Sequence, residues 1–223
     1  SSGGQSNSPV PVFSDSSTQI TFRDIKAGRV HSCAIDLAQN GWCWGYDGEG
    51  ELGIGGGFGP GAKSAFATQV LAGPLNSLAI GGLHTCAITT AGDAQCWGYN
   101  AHGQLGDGGT ANSGTPVTAG TNYLTDATVI FPSPDPDFPL PVGPFLAAGE
   151  EHTCGITTSG TRCWGLNQDG QLGTGSISNP ILAPQLISGS FVAITAGLRH
   201  TCALTNAGAA FCWGANTFGQ LGD

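Results

Sequence analysis

Apolar residues in this chain come in short runs, each closed by glycine. Leu78-Ala79-Ile80 runs into Gly81. His84-Thr85-Cys86-Ala87-Ile88-Thr89 comes next, then a turn at Thr90-Ala91-Gly92, then Ala94-Gln95-Cys96-Trp97-Gly98. Runs this short, bounded by turn residues, predict strands and not helices. A further apolar stretch, Ala67 to Leu71, lies between one such group and the next and predicts one more strand.

The same group recurs. Gly-x-x-His-[Ser/Thr]-Cys, a glycine turn, Cys-Trp-Gly and Gly-[Gln/Glu]-Leu-Gly occur four times, over Gly28–Gly53, Gly81–Gly106, Gly149–Gly173 and Gly197–Gly222. Histidine to tryptophan spans 13, 13, 12 and 13 positions (His31–Trp44, His84–Trp97, His152–Trp164, His200–Trp213), and tryptophan to leucine is always 8. Four copies at fixed spacing mean one small unit repeated. A unit of about four strands recurring every ~40–50 residues is the signature of a propeller blade. The fold class predicted is therefore all-β, a β-propeller of four blades.

The cassette resembles the repeat of the regulator of chromosome condensation (RCC1) family, on the residues Gly-x-x-His-Thr-Cys-Ala-[Ile/Leu]-Thr…Cys-Trp-Gly-x-Asn-x-x-Gly-Gln-Leu-Gly. The resemblance covers the four cassettes. It implies a propeller, which in that family has seven blades, and the paired cysteines resemble secreted bacterial relatives. Thirty residues precede His31, including Pro9-Val10-Pro11-Val12 and Ile20-Thr21-Phe22, while one residue comes after Gly222. The N-terminal segment thus has the length to supply the fourth blade's outer strand, and closure by it is the expectation. The alternative is an open arc of a larger propeller.

Residues 1–8 read as a flexible Ser/Gly-rich tether, and residues 9–223 as the propeller with a Pro-rich insertion at about 107–144. Lipidated cysteines are succeeded by serine- and glycine-rich segments of this kind, so a lipid anchor upstream of Ser1 is an expectation. The 223 residues hold 38 glycines but only 9% charged residues, and a net charge of −9. That balance argues against a nucleic-acid surface, which needs clustered Lys and Arg, and no apolar run approaches a membrane span.

Eight cysteines fall two per cassette: Cys33 and Cys43, Cys86 and Cys96, Cys154 and Cys163, Cys202 and Cys212. Each pair flanks one hairpin turn, which predicts disulfides within blades and an extracytoplasmic, oxidising location, periplasmic or secreted. His31, His84, His152 and His200, and Trp44, Trp97, Trp164 and Trp213, recur in every copy, as fold residues do. No metal, cofactor or nucleophile motif stands out, and no enzymatic activity is expected.

Residues that break the repeat are candidates for recognition. Glu49, His102, Asp169 and Phe218 occupy one cassette position with four chemistries. Phe131, Phe138 and Leu140 are apolar anchors in the Pro-rich insertion. The function expected is a non-catalytic, extracytoplasmic protein-binding module, such as an accessory subunit of an envelope or membrane-protein complex or a propeller-type inhibitor. The resemblance implies a second reading, a guanine-nucleotide-exchange-like regulator of a small GTPase.

Overall fold

The computed structural model describes residues 6–56, 58–70, 72–125 and 145–222. Four antiparallel sheets succeed one another along the chain. The first is built from β1 (Phe22–Ala27), β2 (His31–Asp36), β3 (Gly41–Tyr46) and β4 (Lys63–Gln69). The second holds β5 (Leu75–Ile80), β6 (His84–Thr89), β7 (Ala94–Gly98) and β8 (Ser113–Gly120). The third holds β9 (Leu146–Ala148), β10 (His152–Thr157), β11 (Gly160–Gly165) and β12 (Ile181–Leu186). The fourth has three strands among the described residues: β13 (Ala193–Ala196), β14 (His200–Leu204) and β15 (Ala210–Gly214).

Strand order in each sheet is sequence order, so every blade is an up-and-down meander. The cassette is the hairpin of the two middle strands. Its cysteines face each other directly in register, Cys33 opposite Cys43 and likewise in the other three blades. Such facing positions are close enough to bridge. The Cα–Cα distance is 4.1 Å in all four disulfides.

The stretch 107–144 is not all insertion. Residues 113–120 form β8, the outer strand of the second blade. Pro116 sits in that strand because an outer strand leaves one row of backbone groups unpaired, where the missing N–H costs nothing. Beyond β8 the chain enters the seam between blades two and three. Tyr123 N donates to the Gly92 carbonyl at 2.9 Å, and Leu124 N to the Ile156 carbonyl at 2.9 Å.

Closure by the N-terminal segment is not seen. That segment runs against the first blade: Ala67 N of β4 donates to the Phe13 carbonyl at 2.9 Å. It covers part of an outer sheet edge, which otherwise invites pairing with another chain. Among the described residues nothing covers the fourth blade, where Phe211 is 52% and Leu198 70% exposed.

Packing between blades is continuous. Leu78, Leu146 and Ile194 hold equivalent places three residues before the cassette glycine, and each is at most 3% exposed against the blade before it. Ile25 holds the same place in the first blade and is 57% exposed. Burial here is therefore decided by the neighbouring blade and not by the residue type.

Candidate functional site

Each seam between consecutive blades carries one hydrogen-bond relay. At the first seam, His31 Nε2 lies 2.7 Å from Thr85 Oγ1. The Thr85 hydroxyl donates to the Glu51 carbonyl at 3.1 Å, and Trp97 Nε1 donates to the same carbonyl at 2.8 Å. His84, Thr153, the Gln104 carbonyl and Trp164 repeat this at the second seam. His152, Thr201, the Gln171 carbonyl and Trp213 repeat it at the third. The threonine has a single proton, and a carbonyl only accepts. The histidine must therefore donate from Nε2, which assigns the tautomer.

Burial keeps these rings neutral. Desolvation holds His31 down at about 4 and His84 at about 3, the latter with added repulsion from His152 and His31. His152 is held at about 4 by burial and by His200. A neutral imidazole, bonded through Nε2 and buried, packs and orients; it is not set up as an acid or base near neutrality.

In the last three cassettes the first glycine makes room for the ring. A Cβ on Gly81, Gly149 or Gly197 would overlap the imidazole of His84, His152 or His200. The closing glycine makes room for the indole: a Cβ on Gly53, Gly106 or Gly173 would come within 2.8 Å of the Nε1 of Trp97, Trp164 or Trp213.

Several charged residues that differ between blades share one rim. Inner-strand ends from all four blades surround an axial hollow of about 350 Å³, with Gly28, Gly81, Gly149 and Gly197 in its wall. Arg29 of the first blade reaches Glu150 of the third at 3.3 Å. Arg199 lies 3.9 Å from Glu150 and 3.5 Å from Asp169. His102 lies 3.4 Å from Glu151. These pairs are half-exposed, so they contribute little stability and leave charge available at the surface.

The structure scatters the candidates expected from the sequence. His102 and Asp169 belong to the charged rim. Glu49 accepts a hydrogen bond from Asn112 Nδ2. Phe218 projects into solvent at 92% exposure. Phe131, Phe138 and Leu140 lie outside the described residues. Trp97 and Trp164 are fully buried between blades, whereas Trp44 and Trp213 are half-buried at the two ends. Among the described residues no group of His, Cys, Asp and Glu is placed to hold a metal ion. Sequence reasoning missed the threonine after His84, His152 and His200, whose hydroxyl links the blades, and it missed the Arg29–Glu150 pair. The recurring His-[Ser/Thr]-Cys triplet carried the first signal; nothing local carried the second.

Family models for the "Regulator of chromosome condensation (RCC1) repeat" match residues 76–104, 145–171 and 191–220, and, by a second model, 163–204. The second, third and fourth cassettes are thus RCC1 repeats. The Ultraviolet-B receptor UVR8 of Arabidopsis thaliana is 28% identical over 91% of this chain and 43% of its own length. The probable E3 ubiquitin-protein ligase HERC4 of Homo sapiens is 32% identical over 96% of this chain and 19% of its own. Among solved structures, yeast RCC1 (Prp20), bound by Kap60, superposes with a TM-score of 0.69 at 19% identity, covering 91% of this chain and 45% of that one. Human WBSCR16 gives 0.68 at 19% identity, covering 85% and 46%. The four blades thus span less than half of these relatives.

Proposed function

We propose that this RCC1-type chain is a non-catalytic protein-binding module of an oxidising, extracytoplasmic compartment. One observation carries the reading. At three seams the repeated polar groups, His, Thr, Trp and the Gln/Glu carbonyl, engage one another, while Arg29, Glu150, Asp169 and Arg199, which vary between blades, meet on one charged rim. A scaffold that spends its repeated chemistry on its own joints leaves only its variable face for recognition. Yeast RCC1 (Prp20) is bound by Kap60 and has binding properties toward Gsp1p and histones, all of them proteins, which supports a protein as the ligand class. Four disulfides among eight cysteines support the compartment.

The test uses the oxidised chain as bait on native envelope fractions, beside a variant with Arg29→Glu and Arg199→Glu. A partner retained by the wild type and lost by the variant is the expected result. A partner held equally by both removes the rim from the reading. Free thiols in the native protein would remove the compartment.

A further inference from the structure

The outer strands of the first three blades share one register. Thr68 stands opposite Cys43, Val117 opposite Cys96 and Gln185 opposite Cys163. One residue earlier the strands carry Ala67, Pro116 and Pro184. The backbone nitrogen at this place points away from the blade, since Ala67 N bonds outward to the Phe13 carbonyl. A proline there offers no donor to an incoming strand and sets a ring in its way. The second and third blades are thereby closed to a fifth strand, whereas the first blade keeps its donor.

We propose that the outer edge of the first blade accepts one extended peptide strand of a protein partner, and that residues 13–19 hold this edge in the unbound chain. The ligand class rests on the reading of the chain as a protein-binding module; the edge itself uses none of the rim residues.

The chain supplies its own stand-in for that strand. Phe13 pairs with Gln19 in an antiparallel bridge, and Ser14 N donates to the Thr18 carbonyl at 3.0 Å. Asp15 closes the turn: its Oδ1 accepts from Ser17 N and Thr18 N at 2.8 Å each and from the Ser17 hydroxyl at 3.1 Å. This clip lays the Phe13 carbonyl 2.9 Å from Ala67 N, and among the described residues that is the one backbone hydrogen bond between the clip and β4.

Protection alone needs only a proline, as the second and third blades show. The first blade instead uses a folded clip that reaches the edge through a single backbone bond. A strand that makes more ladder bonds can displace it. In this mode of recognition the main chain gives affinity and the side-chain places give specificity. Phe13 is half-buried where it sits, while Val10 is 67% exposed. On β4 itself Phe66 is 42% exposed, and Ala65 and Gln69 are exposed as well. The partner segment that fits is therefore extended, with a carbonyl on Ala67 N and a bulky apolar side chain in the place of Phe13.

Fluorescence anisotropy with a labelled synthetic peptide of residues 9–16 tests the proposal on the oxidised full chain. Asp15→Ala opens the clip without altering the edge. It should lower the apparent dissociation constant of the peptide by roughly tenfold or more, because a closed clip leaves only a small competent fraction. Ala67→Pro gives the first blade what the second and third already carry, and it should abolish binding in either background with all four disulfides retained. Hydrogen exchange at the Ala67 amide gives a second reading that does not depend on that variant. Exchange should quicken in Asp15→Ala and slow again when peptide is added. Arg29→Glu with Arg199→Glu should leave the peptide affinity unchanged, which separates failure of the edge from failure of the rim. Peptide binding that survives Ala67→Pro, no binding to Asp15→Ala, or an Ala67 amide indifferent to both changes overturns the proposal. Wild-type dimers in sedimentation velocity that Ala67→Pro dissolves would assign the edge to a second copy and overturn the partner strand.

Discussion

The Trp97 indole donates its Nε1 proton to the Glu51 carbonyl at 2.8 Å, across the seam between the first two blades. Thr85 donates to the same oxygen, so two side chains of one blade grip one backbone atom of another. Trp97→Phe removes one of the two bonds and leaves the carbonyl satisfied by the other. The expected loss is about 1 kcal/mol. Thr85→Val should cost more, because it also strands the buried His31 Nε2 proton. Trp44→Phe, at the open end, should change the single chain by less than about 0.5 kcal/mol. Urea unfolding of the three variants in dilute solution ranks them, and equal losses at Trp97 and Trp44 would contradict the relay.

Acid should weaken the fold well before ordinary carboxylates titrate. His31, His84 and His152 have folded values pushed down to about 4, 3 and 4, below the usual 6.5. The unfolded chain then binds protons that the folded chain refuses. Their contribution is complete above pH 6.5 and is lost as pH falls toward 4. Each histidine gives a slope on the order of 1.4 kcal/mol per pH unit in that window. Urea midpoints measured from pH 7.5 to 4.5 should fall steadily, and a flat profile would refute buried neutral histidines.

Glu51 should act in the opposite direction. It stands where the other blades have Gln104, Gln171 and Gln220, and it accepts from the Glu49 N–H at 2.8 Å as those glutamines do from their own loops. Burial, aided by Asp47 and Glu49, pushes its carboxyl up to about 7. Its folded form therefore holds a proton that the unfolded form releases above about 4.5. That stability is present below pH 4.5 and lost as pH rises through 7. Glu51→Gln keeps the acceptor and removes the ionisation. Its thermal midpoint should exceed the wild type above pH 7, with the gap closing near pH 4.5. A gap independent of pH would mean that Glu51 is ionised in the fold.

Gly155→Ala should destabilise, although alanine occupies the equivalent positions Ala34, Ala87 and Ala203. A Cβ there would sit 2.5 Å from Cε1 of Tyr123, whose ring packs edge-on to Trp164. Overpacking of this kind costs about 1–3 kcal/mol. Combining the change with Tyr123→Leu should recover part of the loss; strictly additive losses would show that the two residues do not collide.

Cys202–Cys212 should reduce first. The other three disulfides are 0% exposed, while this one is half-buried at the open end. Differential alkylation of a dilute sample under mild reductant should label Cys202 and Cys212 ahead of the other six, and uniform labelling would show that the last blade is covered.

Repetition made most of the fold legible. Fixed spacing among His, Cys, Trp and Leu placed the hairpin, the facing cysteines and the blade, because those constraints act within about 25 neighbouring residues and recur in each copy. Tyr123 opposite Gly155 was invisible, since the sequence shows a missing alanine but not the ring that excludes it. The relay's threonine was in plain sight, yet its partners lie one blade away, 30 to 69 positions along the chain. Closure was misread because segment length says how far a strand can reach and nothing about which edge it joins; the structure sets Phe13 beside Ala67 of the first blade. Exposure likewise belonged to tertiary structure alone. Ile25 and Leu78 are equivalent in sequence, and only the presence or absence of a neighbouring blade makes one a surface residue and the other core.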